Sequence, residues 1–276
     1  MPFALDFCLR AVMAGALSQP GPDMPRYEFR TPRIYVDAPL HEGAAVPLDA
    51  TQANHLINVL RLKTADTVLV FNGRDGEWQA FLRAAGKHTR VLAVKTRTRS
   101  QQPARDLHYL FAPLKHARLD YMVQKAVEMG ASRLRPVLTQ HVQVARINLD
   151  RMRANAIEAA QQCGILTLPE ICSPLTLDRA IATFERGRLL VFCDEDAPVR
   201  DPVATLAQAR AAHATPSLAV LVGPEGGFTA RERSALASLP STVRLALGPR
   251  ILRADTAAVA ALALVGAVLG DWSGQV

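Results

Sequence analysis

Cysteine is scarce in this sequence: four residues among 276, at Cys8, Cys163, Cys172 and Cys193. None belongs to a C-x-x-C pair, and their spacing is not that of a zinc site. We therefore predict reduced thiols in a cytoplasmic protein, and no metal.

Long hydrophobic runs are also missing. The apolar C-terminal stretch Asp255–Leu269 spans about fifteen residues, which is too short to cross a bilayer. We predict a helix here that is buried by protein, either against a sheet or against a second subunit. At the other end, the apolar start has no basic n-region and contains Asp6, which argues against a secretory signal. We expect residues 1–30 to be an N-terminal extension, with 1–23 poorly ordered or, if Met24 is the natural start, misassigned.

Acidic residues are absent from residues 83–105. The same stretch holds seven basic residues: Arg83, Lys87, Arg90, Lys95, Arg97, Arg99 and Arg105. A charge run is most often a solvated face, but one unmixed sign over this length favours contact with phosphates. The whole chain has a net charge of +7 and a pI near 9.6. This balance suits a polyanionic partner, either nucleic acid or an anionic membrane.

Two patterns of secondary structure follow one another along the chain. The first is β-rich, over residues 31–100, with predicted strands at Arg33–Val36, Thr67–Asn72, Glu77–Leu82 and Thr89–Val94 and a helix at Thr51–Leu60. A linker at 101–106 separates it from the second pattern, over 107–276, where strands alternate with helices. Such alternation predicts an α/β domain with a mainly parallel sheet. Its predicted strands are Leu107–Ala112, Leu134–Thr139, Arg188–Cys193, Leu218–Val222 and Val243–Leu247, and its helices include Ala117–Met129, Asn148–Cys163 and Thr176–Phe184.

The last two predicted strands both end in a Gly-Pro turn, at Gly223-Pro224 and Gly248-Pro249. Ligands of open α/β sheets bind at the carboxyl ends of strands, so both turns are candidates for a binding site. The first turn precedes a helix whose start is marked by a capping box, Thr229 with Glu232. It does not suit a phosphate, because Pro224 has no N–H, Glu225 is negative and the P-loop lysine is absent. A neutral or cationic ligand held by backbone groups fits better.

These motifs carry a resemblance. LVGPEGGFTARE (221–232), followed by LALGPRILRADTAA (245–258), resembles the paired C-terminal motifs of the small-subunit ribosomal RNA uridine N3-methyltransferases of the SPOUT superfamily. APLKHARLDYMVQKAVEMGA (112–131), AAQQCGILTLPEI (159–171), and RIYVD (33–37) with NHLINVLRLK (54–63) look like other blocks of that family in the same order. The resemblance implies a PUA-like RNA-binding β-barrel, then a methyltransferase domain whose C-terminal segment forms a trefoil knot. It also implies a homodimer that acts on 16S ribosomal RNA of the small ribosomal subunit, with no membrane.

The resemblance also implies the site. S-adenosyl-L-methionine would be held by Leu221, Val222, Gly223, Glu225, Gly226, Gly227, Leu247, Gly248, Pro249, Ile251 and Leu252. Arg253 would be catalytic, stabilising the uracil anion that forms when N3 loses its proton. Its alternative role is structural, as a cap or in a salt bridge to Asp255. The proton acceptor stays open between Glu225, Asp255 and solvent. RNA would contact Arg33, Arg61, Lys63, Arg83, Lys87, Arg90, Lys95, Arg97, Arg99, Lys115 and Arg118.

The chain departs from the family pattern at three positions. Ile165 stands where the family usually has a basic residue after the Cys-Gly pair. Gln161 stands where the family usually has glutamate, and Asp255 stands where glutamate is commoner. Two alternative functions also remain at this point: a non-catalytic RNA-binding adaptor with a decayed pocket, and a methyltransferase that modifies a ribose hydroxyl.

Overall fold

The computed structural model describes residues 30–86, 90–142, 146–213 and 217–273. Both sheets lie in one compact unit, Pro32–Val276. The expectation for residues 1–30 falls outside the described residues except at Arg30.

The first sheet has five strands in the order β1-β3-β4-β5-β2. They are β1 (Arg33–Tyr35), β2 (Ala45–Pro47), β3 (Thr67–Phe71), β4 (Glu77–Ala84) and β5 (Arg90–Arg99). Alternate apolar side chains face one core, as a period of two requires; they include Val68, Val70, Leu92 and Val94. The four predicted strands are confirmed, and β2 was missed because three residues are too few to show alternation. β5 runs five residues further than predicted, to Arg99, because its basic half continues to pair with β4.

The predicted helix at Thr51–Leu60 forms, but in two parts. Its first part is α1 (Ala50–Asn54), which begins at Asp49 in a capping box with Gln52. A π-helical turn, His55–Val59, continues it. Arg61 follows with φ +57°, a left-handed conformation that a non-glycine residue rarely adopts. The chain therefore turns sharply where Arg61 and Lys63 enter the solvent.

The second sheet has seven strands, with β12-β10-β11-β6-β7-β8 in line and β9 paired to β7. They are β6 (Leu107–Phe111), β7 (Arg133–Leu138), β8 (Glu170–Ile171), β9 (Leu175–Thr176), β10 (Leu189–Cys193), β11 (Leu218–Val222) and β12 (Thr242–Leu245). Every pairing in it is parallel, so the predicted parallel sheet is confirmed. All residues of β10 and β11 are buried, as expected where helices cover both faces of a sheet.

Helices lie on both faces of this sheet. One apolar core involves α2 (His116–Glu128), α3 (Leu149–Cys163), α5 (Pro202–Ala212) and α7 (Ala254–Val268). The other involves α4 (Leu177–Ala182) and α6 (Ala230–Ala237). Helix α7 buries Ala258, Ala261, Leu262 and Val265, which follow the helical spacing of one face. The prediction that protein buries this apolar helix is confirmed.

Within the described ranges, every helix is too short or too polar to cross a lipid bilayer.

The residue Gln161, where the chain departs from the family pattern, lies between the two sheets. Its side-chain oxygen accepts a hydrogen bond from the Tyr35 amide of β1 at 2.8 Å. Nearby, the Arg99 guanidinium donates to the carbonyl of Gly164, the left-handed residue that ends α3, at 2.8 Å. A glutamine oxygen accepts this bond as a carboxylate would, so the departure at Gln161 concerns the packing of β1 on α3.

Candidate cofactor site

The two Gly-Pro turns meet around one cavity. Strands β11 and β12 both pair with β10, one on each side, so their carboxyl ends flank the end of β10. A cavity of about 340 Å³ opens there. The sequence motifs predicted two turns at strand ends, and the sheet order explains why they face the same space.

The first turn is built by close backbone packing. Gly223 passes against the ring of Phe228 so tightly that a Cβ at Gly223 would collide with that ring. Phe228 is itself held against Phe192 in an edge-to-face contact, with ring centroids 5.0 Å apart. The Gly227 amide donates to the Pro224 carbonyl at 2.9 Å, and Gly227 has φ +66°. These requirements explain glycine at both positions.

Helix α6 starts directly after this turn. The Thr229 hydroxyl accepts from the Glu232 amide, and the Glu232 carboxylate accepts from the Thr229 amide at 2.9 Å. The predicted capping box is therefore confirmed. It fixes where the turn ends and the helix begins.

The second turn lies between β12 and α7. Strand β12 ends at Leu245, two residues before the predicted end, and Gly248 has φ +90°. No atom lies within 4 Å of a Cβ placed on Gly248, so the need for glycine there is conformational. Ile251 projects from this turn with 87% of its surface exposed.

Ten of the eleven predicted cofactor residues line the cavity: Val222, Gly223, Glu225, Gly226, Gly227, Leu247, Gly248, Pro249, Ile251 and Leu252. Leu221 does not line it, because its side chain is buried in β11 within the core shared with α4 and α6. Arg253 does not line it either. It is exposed at the start of α7, and its carbonyl accepts the Ala257 amide at 2.7 Å. No ion pair between Arg253 and Asp255 is present in the described part of the chain.

The end of β10 supplies cavity residues that the sequence analysis missed. Cys193, Asp194 and Glu195 all line the cavity. Burial, and then the neighbouring Asp194, raises the pKa of the Cys193 thiol to about 12. Cys193 is thus a neutral thiol at pH 7 and does not suit a covalent mechanism. The two turns were predicted because ligands of open α/β sheets bind at the carboxyl ends of strands. The same rule, applied to the predicted strand Arg188–Cys193, would have indicated Cys193, Asp194 and Glu195.

The acidic cluster after β10 is held by arginines. Asp194 is buried, and its carboxylate accepts from Arg244 at 2.7 Å and lies 3.1 Å from Arg233. Arg233 also pairs with Glu195 at 2.7 Å and with Asp196. The three carboxylates lie close enough to hold a metal ion, but these guanidiniums already balance much of their charge. We interpret the cluster as the wall that shapes this side of the cavity.

Charges of both signs stand at the cavity. Glu195 and Glu225 supply carboxylates, while Arg200 and Arg250 supply guanidiniums. Glu225 is also paired with Arg118 of α2. A ligand carrying an ammonium and a carboxylate, with an apolar part against Leu245 and Ala257, fits this donor set.

The predicted RNA residues are not all on the surface. Arg33 is wrong: its side chain is only 9% exposed and forms an ion pair with the buried Glu77, so it cannot reach a phosphate. Lys87 lies outside the described residues. The remaining candidates are exposed or part-exposed, namely Arg61, Lys63, Arg83, Arg90, Lys95, Arg97, Arg99, Lys115 and Arg118. Of these, Arg99 bonds to Gly164 and Arg118 to Glu225.

One further residue beside the site was missed. His141, just beyond β7, places its ring nitrogen Nδ1 2.9 Å from the Gly226 carbonyl and 3.2 Å from the Gly227 carbonyl. The contact joins positions 85 apart in the chain, and nothing in the local pattern around His141 indicates it.

Comparison with known proteins identifies the family of this chain. A family described as RNA methyltransferase domain matches residues 100–266, and one described as RNA methyltransferase PUA domain matches residues 48–92. The ribosomal RNA small subunit methyltransferase E of Rickettsia conorii is 30% identical over 234 residues, which cover 84% of this chain and 94% of that protein.

Two solved structures are similar over nearly their whole length. The ribosomal RNA small subunit methyltransferase E of Neisseria gonorrhoeae, bound to S-adenosyl methionine, has 25% identity and a TM-score of 0.74, over 88% of this chain and 99% of that one. The Legionella pneumophila methyltransferase Lpg2936, in complex with the cofactor SAM, has 26% identity and a TM-score of 0.72, over 86% and 98%. The α/β fold with an N-terminal PUA-like domain and a C-terminal methyltransferase domain is thereby confirmed. The chain belongs to the ribosomal RNA small subunit methyltransferase E family of RNA methyltransferases.

Proposed function

We propose that this protein methylates N3 of a uridine in 16S ribosomal RNA of the small ribosomal subunit, using S-adenosyl-L-methionine. The observation that carries the proposal is the meeting of both Gly-Pro turns around a single cavity. Family membership and the cofactor named for two structural neighbours support it. A binding adaptor with a decayed pocket is disfavoured, because the cavity is open and lined by ten of the expected residues.

S-adenosyl-L-methionine, when bound, supplies an electrophilic methyl group. The residues of both turns would hold it by backbone groups and exclude water, in the left-handed conformations that Gly227 and Gly248 allow. Glu195 or Glu225 suits its ammonium, and Arg200 or Arg250 suits its carboxylate. We assign to this cavity the alignment of the methyl donor with the acceptor nitrogen, and no covalent catalysis.

The acceptor nitrogen must lose its proton before it can attack. The resulting anion spreads onto O2 and O4 of the uracil, and a planar guanidinium can stabilise it. We assign this role to Arg253, whose exposed side chain leaves the start of α7 next to the cavity residue Leu252. N3 lies on the Watson–Crick edge, so the uridine must be unpaired or flipped out when it reacts.

RNA binding is assigned to the exposed cations of the first sheet and of the turn after α1, together with Lys115 at the start of α2 and Arg118 within it. We expect the double variant Lys95→Ala, Arg97→Ala to bind RNA more weakly regardless of sequence. The dependence of log K on log salt should flatten by about 0.7–0.9 per lost phosphate contact. Filter binding at several salt concentrations measures this slope, with Arg231→Ala, an exposed cation on α6, as the control. An unchanged slope contradicts the assignment.

We also propose a homodimer, in which a second subunit covers apolar surface beside the cavity. Ile251 exposes 87% of its surface and lines the cavity, which is unfavourable for a large aliphatic side chain in water. Light scattering at micromolar concentration should give twice the mass of one chain, and Ile251→Glu should shift it toward a monomer. A fully active wild-type monomer would contradict the proposal. The trefoil knot, the division at residues 101–106 and a cytoplasmic location are parts of the same proposal.

The reaction can be tested with small ribosomal subunits that lack the modification. Incubation with the protein and radiolabelled S-adenosyl-L-methionine should transfer label to 16S ribosomal RNA. Naked 16S ribosomal RNA and mature, already modified subunits serve as the comparison substrates. The proposed function would be contradicted if the protein bound the cofactor but transferred label to none of these RNA substrates.

A further inference from the structure

The glycine turn GPEGG is held from outside by a histidine that belongs to neither Gly-Pro motif. His141 lies beyond the end of β7, and its Nδ1 is 2.9 Å from the Gly226 carbonyl and 3.2 Å from the Gly227 carbonyl. A carbonyl oxygen only accepts hydrogen bonds, so the ring must carry its hydrogen on Nδ1 and share it between the two.

This contact is also a close packing contact. A Cβ placed on Gly226 would lie 3.0 Å from the His141 Cβ and 3.4 Å from its Cγ. The backbone of the turn therefore lies directly against the histidine, and a side chain at Gly226 would require one of the two to shift. Both peptide groups whose carbonyls are held belong to Gly226 and Gly227, which line the cofactor cavity. Holding their carbonyls fixes the planes of these peptides and so the surface that the turn offers to a ligand.

The residue next to His141 holds the following helix. The Gln140 amide donates to Glu232 Oε1 at 2.8 Å, while Oε2 of the same carboxylate accepts from Thr229 in the capping box. Two adjacent residues after β7 thus hold both ends of the segment between Gly226 and the start of α6. The segment from Gly226 to the start of α6 is therefore fixed by hydrogen bonds from residues outside both Gly-Pro turns.

We propose that His141 is a positioning residue, whose Nδ1–H holds the GPEGG turn in the conformation that binds S-adenosyl-L-methionine. Its role in cofactor binding rests on the proposed function, whereas the clamp on the turn does not. Without the donor, the turn samples other conformations, and the cofactor must select the binding-competent one at a loss of apparent affinity. The chemical step is unaffected once the cofactor is bound.

The test compares two replacements. His141→Leu removes the donor, while His141→Asn keeps a side-chain N–H near the position of Nδ1. In calorimetric titration, the leucine variant should bind S-adenosyl-L-methionine about 5- to 10-fold more weakly, the loss of one shared hydrogen bond. The asparagine variant should recover to within about 3-fold of the wild type. The kcat at saturating cofactor should stay within about 2-fold for both, because the lost interaction is not specific to the transition state.

The matched control is His41→Leu, since His41 also places its Nδ1 3.0 Å from a backbone carbonyl, that of Glu42, in an exposed position of the first sheet region. It should leave cofactor affinity unchanged. Equal weakening by the leucine and asparagine variants would show that ring packing matters and not the donor, which overturns the proposal. Wild-type affinity in the leucine variant overturns it as well.

Amide hydrogen exchange of the ligand-free protein separates this proposal from the proposed function. The amides of 226–229 should exchange faster in His141→Leu than in His141→Asn and the wild type, with no change in His41→Leu. This readout requires no cofactor. If the wild type failed to bind S-adenosyl-L-methionine, the proposed function would be wrong, but the exchange data would still test whether His141 holds the turn. Unchanged exchange in the leucine variant would show that His141 does not hold it.

Discussion

Replacing Gly226 with valine should abolish cofactor binding, raising the Kd for S-adenosyl-L-methionine at least about 100-fold. A Cβ at this position already lies 3.0 Å from the His141 Cβ, and valine adds two methyl groups in a β-branched side chain. The turn must then move away from His141 and carry its carbonyls with it. Loss of activity should follow from loss of the cofactor, so turnover should drop in proportion to occupancy.

The comparison variants make this prediction specific. Gly226→Ala needs a shift of only a few tenths of an ångström and should weaken binding much less than valine does. Gly187→Val, in the left-handed turn before β10, has open space around its Cβ and φ +89°. It should lower the melting temperature through backbone strain without changing cofactor affinity of the folded protein. Calorimetry that finds wild-type affinity in Gly226→Val would contradict the cavity as the cofactor site.

Replacing Arg253 with alanine should lower kcat by about 10²–10³-fold while the Kd for S-adenosyl-L-methionine changes little. That range is the measured effect of removing one donor that stabilises a developing anion. The Arg253 side chain does not line the cavity, and its backbone capping role in α7 does not depend on the side chain. Single-turnover kinetics at saturating cofactor measures the rate of the methyl-transfer step by itself.

A neighbouring arginine serves as the control for this effect. Arg250 lines the cavity and is exposed like Arg253. Arg250→Ala should change cofactor affinity more than kcat, and Arg253→Ala the reverse. If Arg253→Ala lost the cofactor yet turned over normally at saturation, Arg253 would belong to the cofactor pocket and not to the uracil.

Local signals predicted the framework of the site well. The strand Leu218–Val222 has the predicted bounds, and the Thr229–Glu232 capping box forms as expected. Helix α3 likewise begins after Asn148 and ends at the left-handed Gly164. These features depend on residues within a few positions of each other, so their sequence patterns are sufficient to predict them.

What the sequence did not predict depends on contacts between distant segments. Arg33 was predicted to contact RNA, yet Glu77, 44 positions away in the chain, holds it in an ion pair. His141 contacts the cavity wall through Gly226, which is distant in sequence. The buried Asp194 is paired with Arg233 and Arg244, which are also distant in sequence. Strands β8 and β9 were missed because two residues show no alternation. Single-residue chemistry therefore suggested candidates whose partners only the fold reveals.

The identity of the methylated nucleoside shows directly whether the protein modifies N3 of a uridine. Unmodified small ribosomal subunits are incubated with the protein and S-adenosyl-L-methionine, the 16S ribosomal RNA is digested to nucleosides, and the products are separated and weighed by mass spectrometry against standards. We expect N3-methyluridine as the new product, absent without protein and greatly reduced with Arg253→Ala. A 2′-O-methylated nucleoside, or no new product from protein that binds the cofactor, would contradict this expectation.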